Sequence, residues 1–431
     1  MSTDDRIISR KEIKASLTLC NFCIRRIGLS FIDENPKTVH EKLSKGFTLI
    51  LAASLIILMV IGEVSYVAIQ MFNAETIEEF VNSYLHIAGY DVLSFGKLLT
   101  IWHKRYIFRQ LVRELEEIWP VSIKDAEAEI KHNSLLALKH RQNLYAFFNI
   151  LGVWMYNLTP IALLIYLKIR GIPTALGYVW MMYYPFDKTE PVIHFVVYIF
   201  ETLAGLSSVC SMLGSDLLFM TMSSHISMLL RLLQEQIRHL GHSNDKDSGA
   251  VAKSIDCYKD IIIVVKIHQR LIRYIQDLEA AFSVINLLNV LLSSVNICFV
   301  MFAIVFIDSW MDMSNKFYLG AVLTQMGIVC WYADDIYRAS VGVADAVYES
   351  GWYKSNTCSR RALLLVLQRS QKPLYFTALK FRAITMMTYS SVSKPDLSSQ
   401  VSFIFYAFVI YHKAFVYSFL ETDNFNITSL I

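Results

Sequence analysis

Phe47–Ile69 reads FTLILAASLIILMVIGEVSYVAI, and this stretch decides the fold class. A helix needs about 20 mainly apolar residues to cross a bilayer, because its backbone must satisfy its own hydrogen bonds there. The run has that length, and Glu63 is its sole charged residue. Residues 1–46 are polar and hold no apolar core. No cleavable signal is therefore expected before the run, which acts as its own insertion signal.

Composition extends the same reading to the whole chain. Of 431 residues, 55% are hydrophobic and 18% are charged, with a mean hydropathy of +0.41. Soluble domains run nearer 45–50% and about 25%. Aromatic content of 13% and the low charge exclude disorder. Seven Cys exclude a disulfide scaffold, and a net charge of +3 gives no argument for nucleic acid. A polytopic membrane protein remains.

Six further apolar runs follow. The second, 82–101, is the weakest, since it holds His86, Asp91 and Lys97. The third is Leu144–Leu167, and the fourth runs from Val192 to about Met222, longer than a bilayer needs. The fifth is 282–307, the sixth Phe317–Tyr337 and the seventh 401–420, with His412 and Lys413 in its middle. Lys plus Arg decides whether the second run spans. From the N-terminal region through the successive loops to the tail, the counts are 9, 0, 8, 3, 8, 1, 9 and 0. Rich segments belong in the cytoplasm. Omitting the second run would merge a poor loop with a rich one and break the alternation. The expected fold is an all-α polytopic membrane protein with seven transmembrane helices, the N-terminus cytoplasmic and the C-terminus outside. This orientation is opposite to that of G-protein-coupled receptors, whose DRY and NPxxY signals are also missing.

The chain divides accordingly into a cytoplasmic region 1–46, spans one to six with their loops over 47–337, a cytoplasmic loop and helix over 338–392, and a tail 393–431 carrying the seventh run. The cytoplasmic segments are helical in pattern. RQLVRELEEIW and IKDAEAEIKHNSLLALKHRQ lie between spans two and three, separated at Pro120. Thr221–Leu240 continues span four, 241–249 is a break, and helix resumes over 250–280. The outer loop Lys168–Pro191 holds Trp180 and Tyr183-Tyr184-Pro185-Phe186. It reads either as a lid over an outward cavity or as an interfacial aromatic belt.

Catalytic signatures are missing: there is no HExxH, GxSxG, P-loop or GxGxxG. Cys20 and Cys23 have CxxC spacing but no second pair or His cluster to complete a zinc site, so they read as ordinary cytosolic thiols. No cofactor is expected. The sequon at Asn157 lies within a span, and the one at Asn426 lies close to the membrane. Charges inside spans are costly, roughly 2.5–3.5 kcal/mol each on insertion scales. Glu63, Asp91, Lys97, Glu201 and Asp216 stand in that position. Lys97 and Asp216 read first as lying near the cytoplasmic surface, where they snorkel, and otherwise as lining a wet cavity or ion path. Glu63 and Glu201, on outer halves, either face a cavity or serve structure alone.

Several ordered patterns resemble the insect odorant receptor family. Tyr184-Pro185-Phe186-Asp187 precedes span four, which runs into Gly214-Ser215-Asp216-Leu217-Leu218-Phe219, with His225 following. Span six carries Cys330, and Ser340, Ala346-Val347-Tyr348, Trp352, Arg360-Arg361 and Ser370-Gln371-Lys372-Pro373-Leu374 come after it. The resemblance covers residues 1 to about 392, and the TYhhhhhQF signal of the gustatory relatives is absent. It implies an odour-gated nonselective cation channel in the plasma membrane of sensory neurons. It also implies heteromeric, four-subunit assembly with a shared odorant receptor coreceptor, and a last helix lining the pore.

A small volatile apolar ligand needs an apolar, aromatic-lined pocket. On the outer halves of the spans, the residues expected to form it are Tyr84, Ile87 and Tyr90 in span two and Met155, Asn157 and Leu158 in span three. Phe195, Tyr198 and Thr202 in span four and Tyr318 and Val322 in span six complete the set. A transporter and an intramembrane enzyme are the competing classes. The first would show internal repeats, the second paired acids at matched depth, and neither pattern is evident.

The C-terminus departs from the family. Ser393-Lys394-Pro395-Asp396 interrupts the expected Ser/Tyr-rich run, and Pro395 would break a helix begun near Leu379. Residues 393–431 are expected to derive from a retained intron or an alternative last exon, which puts pore lining in doubt and leaves a non-conducting receptor isoform as an alternative to the channel subunit.

Overall fold

The computed structural model describes residues 3–31, 38–73, 88–121, 125–172, 176–180, 182–187, 190–240, 250–306, 313–380 and 382–393. Two short helices, α1 (Thr3–Ser16) and α2 (Thr18–Arg26), precede α3 (Val39–Asn73), which contains the first apolar run. Then come α4 (Ala88–His103), α5 (Arg105–Ile118), α6 (Asp125–Ile169) and α7 (Pro191–Arg238). After these lie α8 (Ala250–Phe306), α9 (Met313–Glu349), α10 (Thr357–Ser370) and α11 (Met386–Ser393). Among the described residues, the one departure from helix-and-loop is a pair of two-residue strands, Thr377–Ala378 against Arg382–Ala383. The chain is thus an all-α membrane protein, with Val39–Ile69, Pro191–Arg238 and Tyr258–Cys298 each long and apolar enough to cross a bilayer.

Spans three to six each share one helix with an adjoining basic-rich segment, whereas α4 stops at His103 and α5 begins at Arg105. Span three and the helix before it form one helix, α6, bent by 42° between Trp154 and Asn157. Pro160 explains the bend, since it has no N–H for the carbonyl four residues earlier. The helix over 250–280 continues without interruption through span five as α8. Pro120 does separate two helices: α5 stops at Ile118 and Trp119 is extended.

Helix α7 is the axis of the core, packed by α2, α3, α4, α6, α8 and α9. From Ser208 to Leu230 it is buried on nearly every side, as a helix at the centre of a bundle is, whereas Val192, Phe195, Val196 and Ile199 near its start are exposed. Small residues let its neighbours approach. A Cβ at Gly214 would stand 2.7 Å from Ile24, and Ser94 and Ser211 hydroxyls donate to the Ser208 and Ser94 carbonyls, each at 3.0 Å. At the basic-rich end, Phe108, Phe282, Phe219 and Phe376 stack edge to face in sequence, 5.0–5.1 Å between centroids. There His225 is buried against Trp119, and its Nε2 lies 2.8 Å from Ser16 Oγ. Burial, with the charge of Lys131 adding to it, holds the imidazole down at about 3.

Two expectations are corrected. Lys97 and Asp216 do not snorkel. Both are fully buried, and Lys97 Nζ lies 2.6 Å from Asp216 Oδ1. Tyr145 OH (2.9 Å) and Gln325 Nε2 (3.3 Å) both donate to Asp216 Oδ2, so the pair joins α4, α6, α7 and α9. Mutual neutralisation at short range makes burial tolerable where neither charge alone would be. Nor does a helix begin near Leu379. The two short strands turn back there, with Leu379 (φ 46°) and Lys380 (φ 63°) left-handed, and the helix starts at Met386. Tyr84, Ile87, the break at 241–249 and the seventh apolar run lie outside the described residues.

Candidate functional site

A cavity of about 100 Å³ lies between α4, α6, α7 and α9. Helix α4 supplies Tyr90 and Asp91, and α6 supplies Phe148, Asn149, Gly152 and Val153. Helix α7 contributes Gly205, Ser208 and Val209, while Tyr318, Ala321, Val322 and Gln325 come from α9. Trp180 closes it from the loop before α7. The residues from α6 recur at one-turn spacing, as one helical face requires. On α7 that face is Gly205, Ser208 and Val209, so space is left where glycine and serine keep the wall small. A Cβ at Gly152 would meet nothing within 4 Å.

The loop is held down as a lid. Glu201, fully buried in α7, accepts from the backbone N–H of Val179 (2.8 Å) and Trp180 (3.2 Å) and from Tyr184 OH (2.9 Å). Met182 packs into Met59 and Ala204, and Tyr183 N–H donates to the Gly62 carbonyl at 3.1 Å. A Cβ at Gly205 would lie 3.3 Å from the Trp180 ring, which explains the glycine there. Of the two readings of this loop, the lid describes its contacts. Glu201 therefore serves the lid, and Asp91 is the acid that reaches the cavity wall.

At the opposite end, Gln325 links the cavity to the buried ion pair through its contact with Asp216. Tyr318 stands near Asn296 of α8, whose side chain fills the space beside Gly89. No cluster of metal-ligating side chains occurs among the described residues.

Tyr90, Tyr318 and Val322 of the expected pocket line this cavity. Tyr198 OH donates to the Asn157 carbonyl and Thr202 Oγ1 to the Tyr198 carbonyl (2.9 Å), so these three join or brace helices beside it. Leu158 and Phe195 are exposed on the outside of the bundle and do not reach it. The side chain of Met155 lies outside the described residues. Aromatic content pointed to residues 195 and 198, whereas the inward face of α7 falls on 201, 205 and 208.

Residues 76–395 match the family described as 7tm Odorant receptor. The chain belongs to this family. The receptor is 28% identical to Odorant receptor 85c of Drosophila melanogaster over 359 residues, covering 81% of this chain and 86% of that one. With Odorant receptor 85b of the same fly it shares 25% over 331 residues, covering 75% and 80%. Its fold resembles that of the insect olfactory receptor OR5 from Machilis hrabei, with a TM-score of 0.73 at 18% identity, covering 93% of this receptor and 98% of that one. A second structure of OR5, in complex with eugenol, also gives 0.73, at 16% identity and with 94% and 100% covered. These are receptors and not enzymes. The family match ends at residue 395, close to the point where the sequence departs from the family pattern.

Proposed function

We propose that this receptor is the ligand-binding subunit of an odour-gated, nonselective cation channel in the plasma membrane of sensory neurons. It acts with the shared coreceptor, four subunits surrounding one pore. Seven spans place the N-terminus in the cytoplasm and the C-terminus outside, with the domain limits given above. The observation that carries the reading is the small, mainly apolar cavity under a tethered lid, in a chain of the odorant receptor family. An OR5 structure holding eugenol supports a small-molecule site in this fold. The odorant contacts are Tyr90, Tyr318 and Val322, with Trp180, Phe148 and Val209 around them. Tyr84, Ile87 and Met155 remain proposed contacts from the sequence pattern.

The test is whole-cell current from cells expressing this chain with and without the coreceptor, under a panel of small volatiles. Volatile-evoked cation current requiring both chains is expected. Solute uptake without current, with both chains at the surface, would overturn the channel reading in favour of a transporter.

A further inference from the structure

The cavity wall carries an acid that an apolar odorant site does not need. Asp91 is buried, lines the cavity, and its Oδ1 accepts the Ser208 hydroxyl. Behind it, the Glu63 carboxyl of α3 is equally buried and stands within hydrogen-bonding reach of Asp91. Neither Glu63 oxygen meets a donor among the described residues. Two carboxyl groups within that reach bond each other only by sharing a proton. A carboxylate offers about four lone-pair sites. Ser208 and the shared proton occupy two, and the remainder are open to a donor in the cavity. Lys97, the nearby cation on α4, is already engaged by Asp216.

We propose that the cavity selects small apolar molecules carrying a hydrogen-bond donor head, which donates to the Asp91 carboxyl. This rests on the cavity being the ligand site. The head is a hydroxyl or amine, and the body lies against Phe148, Val153, Val209 and Val322. An apolar cavity of roughly 150 Å³ holds the six heavy atoms of benzene, so about 100 Å³ encloses about four heavy atoms of a ligand, the donor head among them. Ligands that only accept hydrogen bonds set a lone pair against the carboxyl and leave it unmatched.

The test uses the full chain in lipid nanodiscs with pentan-1-ol, pentylamine, pentan-2-one and hexane, all of one size. Affinity is read from ligand-dependent thermal stabilisation. Donation is worth about 0.5–1.5 kcal/mol to a neutral acceptor and about 1.5–3 kcal/mol to an ionised one, so a donor should bind about twofold to tenfold tighter than the ketone or hexane if the pair is neutral, and tenfold or more if it is charged. Which donor is tighter tells whether the pair presents a charge or a neutral acceptor. Asp91→Leu should remove the advantage of pentan-1-ol over hexane while hexane still binds. Asp91→Asn, closer in shape, should retain part of the preference. Equal binding of alcohol, ketone and hexane to the parent chain, or an alcohol preference that survives Asp91→Leu, would overturn the inference. Gly152→Phe, which fills the cavity, should abolish all binding. Undiminished binding there would overturn the cavity as the ligand site, a separate failure.

Discussion

Breaking the Lys97–Asp216 pair is the sharpest perturbation of the bundle. Both side chains are out of contact with solvent, and their atoms are 2.6 Å apart. Removing one partner of such a pair leaves an uncompensated buried charge, at a cost of about 3–5 kcal/mol. The two single variants are not equivalent. After Lys97→Met, Asp216 still accepts from Tyr145 and Gln325. After Asp216→Leu, the Lys97 ammonium has lost its one ion-pair partner among the described residues. Asp216→Leu should therefore lie at the upper end of that range and Lys97→Met at or below the lower end. The double variant should cost less than Asp216→Leu alone, because no charge is stranded. Domains of a few hundred residues lose about 2–4 °C of midpoint per kcal/mol, so Asp216→Leu should fall by roughly 10 °C or more. The assay is thermal unfolding of the four proteins in one detergent, followed by size-exclusion of the surviving fraction. Single variants within about 2 °C of the parent, or a double variant that loses the sum of the two, would refute the pairing.

Other consequences follow from single contacts. Glu201→Leu removes the acceptor of three lid hydrogen bonds and should weaken ligand affinity about tenfold, measured by the same thermal stabilisation. Unchanged affinity would mean that the loop is held by Met182 and Trp180 packing alone. Lys380→Gly should stabilise the turn by about 1 kcal/mol, because φ is 63° there and glycine adopts that backbone without the Cβ penalty. A lowered midpoint would contradict the left-handed turn. His225 is held at about 3 in the fold against about 6.5 when unfolded, so its neutral form is favoured by folding. Its contribution is fully present above pH 6.5 and is lost as pH falls from there toward 3. His225→Gln should flatten that part of a stability–pH curve, and an unchanged slope would show that other groups carry it.

The first, fourth and fifth spans were readable because lipid imposes a length and a polarity that soluble cores do not. Lys97 shows where that reading stops. Its cost was visible in the sequence, but its partner lies 119 residues away and only packing brings the two together. The cavity was partly readable, since Tyr90, Tyr318 and Val322 lie on inward faces of apolar helices. Its α7 wall was not, because Gly205 and Ser208 mark space and close approach instead of contact, and such residues carry no hydrophobic signal. The hairpin after α10 was hidden for a similar reason. Leu379 and Lys380 occupy left-handed positions where turn chemistry would put glycine or asparagine.

The most direct test of the central claim is an electron cryomicroscopy map of the receptor, assembled with its coreceptor, at saturating concentration of a volatile that evokes current. The account predicts ligand density between Trp180 and Gln325, bounded by Tyr90, Gly152 and Val322. An empty cavity there, with the ligand ordered elsewhere in the bundle, would contradict it.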